Sequence, residues 1–432
     1  MKRRRMAAGL AALALSTGLI AAGCGSDSSS GSGDTNGGGA AGGDVGELKV
    51  GVLVPLTGDL SPFGGPNAKA AQLGADTVNQ AAKDAGVDLT MSLTTEDSKT
   101  DPQGAQEAAT KLVESDGVNV IAGPMASSEV IPTAENVTVD AGVPVITPSG
   151  TSPEITSLDD NGLVFRTPPS DALQGKVLAS VLGKSIGADA TVNTGGRNDA
   201  YGTALVEEFT KAWEAGGGKV GLNVPYNPEA NSLDSEAGQL AGGNPAAWVI
   251  IDFPDSWQKM GPALLRTGKW SPAKTWTADG LRSPDLPKKA GEKVTEGMQG
   301  TVPTSADAPA GKAFDDLWKA QIKTDRQTYD AQMFDAIVLY ALASVRAGST
   351  DGTAIAGKLA EVSGAPGKKY TFEQLGDALK AVKAGEDIDY EGASGPIDLD
   401  ANGDPAAASY GKWDYKGGKL VDSTEVFPVT GG

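Results

Sequence analysis

Hydrophobic and polar positions follow a repeating order along this chain: a short apolar run, a turn of small residues, then a longer amphipathic stretch. Residues 118–122 (VNVIA) are β-branched and almost continuously apolar, as a strand buried on both faces requires. Residues 143–146 (VPVI) repeat that character. Each run ends in a turn that bears hydroxyls, Gly123-Pro124 leading to Ser127 and Ser128, then Pro148-Ser149-Gly150-Thr151. As parallel neighbours, the two strands bring both turns to their carboxyl ends, where open α/β sheets hold ligands. Backbone N–H groups and Ser or Thr hydroxyls there suit a small anion without a Lys or Arg. The plainer alternative is helix capping, since Thr151-Ser152-Pro153-Glu154 has the form of a capping box.

The same rhythm runs on both sides of this stretch. Residues 48–54 (LKVGVLV) predict a first strand, and 66–85 a helix with Ala70, Gly74, Val78, Ala81 and Ala85 on one face. A strand over 87–94 and a helix opening at Asp101-Pro102 follow, the latter carrying Ala105, Ala108, Ala109 and Leu112 at helical spacing. This alternation predicts a parallel sheet covered by helices. Residues 165–171 (FRTPPSD) interrupt it and read as a crossover. The pattern then restarts: a helix over 173–185, a weak strand about Ala190, a loop over 193–202, a helix over 203–215 and a strand over 219–224. A loop and helix, a strand over 247–252, a helix over 256–267, a strand over 274–278 and the turn Asp279-Gly280 complete it, and residues 298–303 (MQGTVP) carry the chain back. Helices over 311–322, 331–347 and 372–384 come next, with a Gly/Pro-rich loop before the last, and the tail from Gly392 reads as turn-rich β structure. Two α/β lobes linked by more than one crossing imply a hinge with a cleft between them.

Composition changes this picture at the amino end. Residues 1–23 have a basic start (Lys2, Arg3, Arg4, Arg5) and a short Ala-rich apolar stretch, the form of an export signal. Cys24, the single cysteine of the chain, follows Ala21-Ala22-Gly23 in what resembles a bacterial lipobox. An incidental thiol is the alternative, but lipidation explains a lone cysteine in that place. Residues 24–46 are rich in Gly and Ser and read as a flexible tether. The chain is thus expected to be extracytoplasmic and anchored to the cell membrane through Cys24.

The formal charge is −19, and loss of the four basic leader residues takes it to −23, which disfavours nucleic acid as a partner. With no histidine anywhere, Ser-His-Asp and Cys-His machinery and histidine metal sites are excluded. Catalysis by paired carboxylates stays open on composition alone. Asp398, Asp400, Asn402 and Gly403 copy half a calcium loop, but Ser409 stands where the bidentate Glu is needed, so this stretch reads as a turn. Neither a metal nor a cofactor is expected.

Several stretches taken together resemble the branched-chain amino-acid-binding (Leu/Ile/Val-binding) family of extracytoplasmic solute-binding lipoproteins of ABC importers. They include VGVLVPLTGDLSPFG (50–64), DPQGAQEAATKLVESDGVNVIAGP (101–124), GVPVITPSGTSPEI (142–155), FRTPPSDALQG (165–175), DAYG (199–202), TADG (277–280), TYDAQMFDA (328–336) and GASGPIDLDANGD (392–404). The resemblance runs from about Leu48 to Val421. It implies the type I periplasmic-binding-protein clamshell, two Rossmann-like lobes of parallel sheet flanked by helices and joined by a hinge of three crossovers. Lobe 1 is expected over 47–168 and 304–395, and lobe 2 over 169–303 and 396–432.

By the same resemblance Ser127, Ser149, Gly150 and Thr151 hold a ligand carboxylate, and Asp279 stands where the family has an acid, often Glu, for the ligand's ammonium. Phe63, Tyr201 and Phe253 supply aromatic contacts, with Gln174 and Tyr329 close to the crossovers. The bland alternatives are packing residues for the aromatics and an ordinary Asp-Gly turn for Asp279. The resemblance implies no enzyme. It implies a monomer that captures a small solute, an amino acid of branched-chain type, and delivers it to permease and ATPase subunits. A sensor module, or a binding protein for amides or organic and aromatic acids, is the alternative. An extracellular hydrolase would need two convergent acids in the cleft, and the sequence places only Asp279 there.

Overall fold

The computed structural model describes residues 42–305, 308–364 and 366–430. The leader and Cys24 lie outside the described residues. Strands β1 (Gly46–Val54), β2 (Leu89–Asp97), β3 (Val120–Ala122), β4 (Val145–Thr147) and β5 (Val164–Arg166) form one sheet in the order β2-β1-β3-β4-β5, parallel throughout. Strands β3 and β4 are neighbours, with Ile121 opposite Val145, so their two hydroxyl-bearing turns do meet at one edge of the sheet. Gly123 makes the first turn possible: its φ is +114°, and a Cβ there would lie 2.0 Å from the Leu53 carbonyl oxygen.

A second sheet is built from β6 (Thr191–Arg197), β7 (Lys219–Tyr226), β8 (Ala247–Ile251), β9 (Thr275–Thr277) and β10 (Gln299–Pro303). A small sheet of β11 (Lys368–Tyr370), β12 (Ile388–Gly392) and β13 (Gly395–Pro396) precedes the closing hairpin, β14 (Ala407–Lys416) and β15 (Lys419–Thr430). That hairpin returns to the second sheet, whose order is β15-β14-β10-β9-β8-β6-β7, antiparallel only at its β14 and β15 edge. Helices Ser61–Ala85 and Asp330–Ala347 cover the first sheet, with Leu375–Lys383 packed against both, and Asp330–Ala347 is buried almost all round. Its Tyr340 hydroxyl reaches the carbonyls of Ile121 and Pro144, tying this late helix to β3 and β4. The chain therefore passes between the two α/β lobes three times, after β5, after β10 and after β13.

Four local expectations are corrected. The first helix begins at Ser61, ahead of Pro66, because Pro62 already suits its first turn. The stretch 193–202, expected as a loop, is the end of strand β6 up to Arg197 and the start of the helix Ala200–Ala215. Its polar residues are paired inside the sheet: Asn193 Nδ2 donates to Leu240 O at 2.8 Å and to Gly242 O at 2.9 Å. The supposed loop before residue 372 contains the helix Gly352–Ser363, capped by Asp351 Oδ1 on Ala354 N–H at 2.9 Å, with Ile355, Leu359 and Val362 turned inward. The capping box at Thr151 is displaced by one residue, since Ser152 Oγ caps the short helix Pro153–Thr156.

Candidate functional site

On the first lobe, the turn after β3 places Ser127 at the start of the helix Ser127–Thr133. Its oxygen accepts the N–H groups of Thr151 at 3.2 Å and Ser152 at 3.1 Å. With both lone pairs engaged, the hydroxyl hydrogen is free to be donated elsewhere. Ser149 Oγ donates back to Met125 O at 2.7 Å, which stitches the two turns together. Thr147, unremarked in the sequence, is the residue that shapes the second turn: its Oγ1 donates to Pro124 O at 2.7 Å and accepts Gly150 N–H at 2.9 Å.

On the second lobe, Asp199 caps the helix Ala200–Ala215 through the N–H groups of Tyr201 and Gly202, presenting the Tyr201 ring. Phe253 immediately precedes the helix Pro254–Arg266 and stacks on Tyr201 with ring centres 5.1 Å apart and planes at 12°. Asp279 opens the 3-10 turn that follows β9. Gly280 is required beside it, because a Cβ would meet Asp252 O at 2.7 Å and the Tyr201 hydroxyl at 3.0 Å.

These residues meet between the lobes. One enclosed cavity is walled by Phe63, Ser127, Ser149, Tyr201, Phe253, Asp279 and Tyr329, together with Leu60, Met125, Ala126 and Gly280. Seven of the nine expected ligand-binding residues are thus brought together, and two are not. Gly150 and Thr151 lie behind the wall: the Gly150 N–H is spent on Thr147, and Thr151 Oγ1 donates to Asp171 Oδ2 at 3.1 Å. The cavity encloses about 20 Å³, room for about one water molecule, so the lobes stand closed on each other. Larger grooves of about 760 and 850 Å³ lie on outer helical faces, away from these convergent polar groups.

Asp279 is the one charged side chain in the wall. Its Oδ1 accepts Gln174 Nε2 at 2.8 Å and the Tyr201 hydroxyl at 3.2 Å, and Tyr201 in turn accepts Gly280 N–H at 3.2 Å. The Tyr329 hydroxyl faces the same carboxylate but falls outside hydrogen-bond geometry. Burial raises the Asp279 carboxyl above its usual range, and these donors hold it back.

Two contributors escaped the sequence reading. Arg197, at the end of β6, lies 3.8 Å over the Phe253 ring, pairs with Asp199, and reaches Asp59 Oδ2 of the other lobe at 3.0 Å. The expected loop over 193–202 hid it. Asp171 is a second fully buried acid, and it lies near enough to Asp279 for that carboxylate to raise its own carboxyl. It ends the stretch 165–171, which read as a crossover, whereas it opens the helix Asp171–Ile186.

Residues 47–410 match the family described as periplasmic binding protein. A leucine-, isoleucine-, valine-, threonine- and alanine-binding protein of Pseudomonas aeruginosa is 28% identical over 334 residues, 76% of this chain and 87% of that protein. The solved leucine-binding protein LivK of Thermotoga maritima superposes with a TM-score of 0.71 at 23% identity, covering 88% of this chain and 98% of its own. An ABC-transporter solute-binding protein of R. palustris in complex with benzoate gives 0.64 at 22% identity, covering 87% and 95%.

Proposed function

This chain belongs to the periplasmic binding protein family and is a solute-binding protein rather than an enzyme; from that premise we propose that it captures an α-amino acid, of branched-chain type, between its lobes and delivers it to an ABC importer. The observation that carries this reading is Asp279, a lone buried acid facing a neutral hydroxyl, Ser127, across the cavity. An acid on one lobe suits an ammonium, and an oriented donor on the other suits a carboxylate, which together describe a zwitterion. Phe63, Tyr201, Phe253 and Tyr329 would then enclose an apolar side chain. The Pseudomonas and Thermotoga proteins, named for amino acids, support the same class. Ligand contacts drawn from both lobes favour the closed form, which is the form a permease would read. Attachment of the exported protein to the membrane through a lipidated Cys24 belongs to the same proposal, and Cys24→Ala should release a ligand-competent protein.

A second reading, an aromatic carboxylic acid, is favoured by the four aromatic rings in the wall and by the benzoate complex of the R. palustris protein. Calorimetry against amino acids and aromatic acids separates the two. Asp279→Asn keeps the shape and removes the charge, and breaking a desolvated charge pair costs roughly 2–5 kcal/mol. Amino-acid affinity should fall about 30-fold or more. An aromatic acid, which has no ammonium to lose, should bind the variant no worse than the parent; that result would replace the amino-acid reading.

A further inference from the structure

Asp171 opens the helix Asp171–Ile186 and is fully buried. Its Oδ2 accepts from Thr151 Oγ1 at 3.1 Å, whereas Oδ1 has no partner. The helix end brings no relief, because Ser170 takes the nearby N–H groups. Its hydroxyl accepts Ala172 N–H at 3.3 Å, and its carbonyl accepts those of Leu173 at 2.9 Å and Gln174 at 3.4 Å. Three residues on, along the same helix face, Gln174 donates Nε2 to Asp279 Oδ1 and to Thr301 O, at 2.8 and 3.2 Å. Its own Oε1 is buried and unpartnered. Two acceptors are thus stranded one helical turn apart, at a cost that buried polar groups rarely carry. Turning the Gln174 amide over only moves the conflict, since Oε1 would then face a carboxylate and a carbonyl. A hydrogen carried by the Asp171 carboxyl would give each of them a partner.

The surrounding charges favour the same hydrogen. Asp171 and Asp279 repel each other, and burial with that repulsion drives the Asp171 carboxyl well above its usual range. Arg166, from β5, is the nearby cation, and it is committed to Asp404 through Nε and Nη2, each at 2.6 Å, and to Ser152 O and Thr156 Oγ1. The other titratable groups felt here are Tyr201 and Glu208 from the helix Ala200–Ala215, Tyr329 ahead of Asp330–Ala347, and Tyr410 from β14. None of them supplies a positive charge.

We propose that Asp171 is a neutral, protonated carboxyl at neutral pH, donating from Oδ1 to Gln174 Oε1, and that it positions Gln174 so that Asp279 alone meets the ligand as an anion. The proton on Asp171 stands apart from the identity of the ligand; its effect on recognition rests on the amino-acid reading above.

Infrared difference spectra of the protein without added ligand, parent minus Asp171→Asn, should at neutral pH isolate the carbonyl stretch of one buried neutral carboxyl. A difference spectrum without that band would overturn the proposal. For recognition, Asp171→Ala strands Gln174 and should weaken amino-acid binding about ten-fold. Asp171→Asn offers an amide hydrogen in the same place and should recover most of the loss. If Asp171 were ionised, Asn would remove a negative charge near the ligand ammonium and bind as weakly as Ala; that outcome also overturns the proposal. Should the parent bind no amino acid at all, the ligand reading fails, while the infrared band still decides the state of Asp171. Should the alanine variant fail to fold, the asparagine variant and the spectrum carry the test.

Discussion

Ser127 has two tasks at once, and its substitution separates them. As acceptor it holds the N–H groups of Thr151 and Ser152, and as donor its hydrogen is left for the cavity. Ser127→Ala therefore removes a donor from the cavity wall and strands two backbone donors, a buried unsatisfied group costing roughly 1–3 kcal/mol. Affinity and thermal midpoint should both fall, whereas a residue serving only the ligand would leave the midpoint unmoved. Glu129, two residues on, is fully buried with Oε2 accepting Ala126 N–H at 3.0 Å, and burial pushes its carboxyl up to about 8. A folded value above the unfolded one, about 4.3, adds stability that is complete below the unfolded value and lost as pH rises through the folded one. Asp252 and Asp335, each raised to about 6 by burial, act in the same sense at lower pH. Thermal midpoints should thus decline from pH 5 to pH 8. Glu129→Gln should flatten the part above pH 7, and an unchanged slope would remove that carboxyl as its source.

At the scale of elements, apolar periodicity made most of the sheet and helix order legible, and it failed where polar groups are satisfied inside the fold. Strand β6 reads as TVNTGGR, and its buried Asn193 is a sheet residue only because Leu240, Gly242 and Leu222 supply its partners from elsewhere in the chain. Such partners are tertiary and leave no local trace. The helix Gly352–Ser363 was missed for a different reason. Its small residues and flanking glycines resemble a loop, yet Asp351 caps it and Ile355, Leu359 and Val362 bury one face. Asp351→Ala should cost about 1 kcal/mol, the usual loss for an N-cap, and lower the denaturation midpoint without altering ligand affinity. A variant as stable as the parent would mean that packing alone holds the helix. The site divides in the same way. Side chains next to recognisable turns, such as Ser127, Tyr201 and Asp279, were legible, whereas Thr147, Asp171 and Arg197 act through partners far along the chain.

For the whole molecule the deciding quantity is the free-energy difference between open and closed lobes. Three chain crossings let the lobes swing without separating, and the cavity of about 20 Å³ between them leaves no path for a solute unless they open. What holds the closed form can be located. Arg197 of the second lobe is buried against Phe253 and meets Asp59 of the first lobe at 3.0 Å, with side-chain exposures of 4% and 15%. Being mostly shielded, this pair exceeds an exposed surface bridge, and a charged hydrogen bond contributes about 1.5–3 kcal/mol. As a contact made across the lobes, it adds to closure rather than to the first encounter with ligand. Asp59→Asn should therefore leave the association rate near the parent value and speed dissociation by about ten-fold or more. Small-angle scattering should show the same bias without kinetics: ligand should reduce the radius of gyration of the parent, and the variant should need more ligand for the same contraction. Stopped-flow dissociation that is unchanged in Asp59→Asn, with an unchanged titration of the radius, would mean that the Arg197–Asp59 contact follows closure rather than sustaining it. The interlobe aromatic and Asp279 contacts would then have to carry the closed state by themselves.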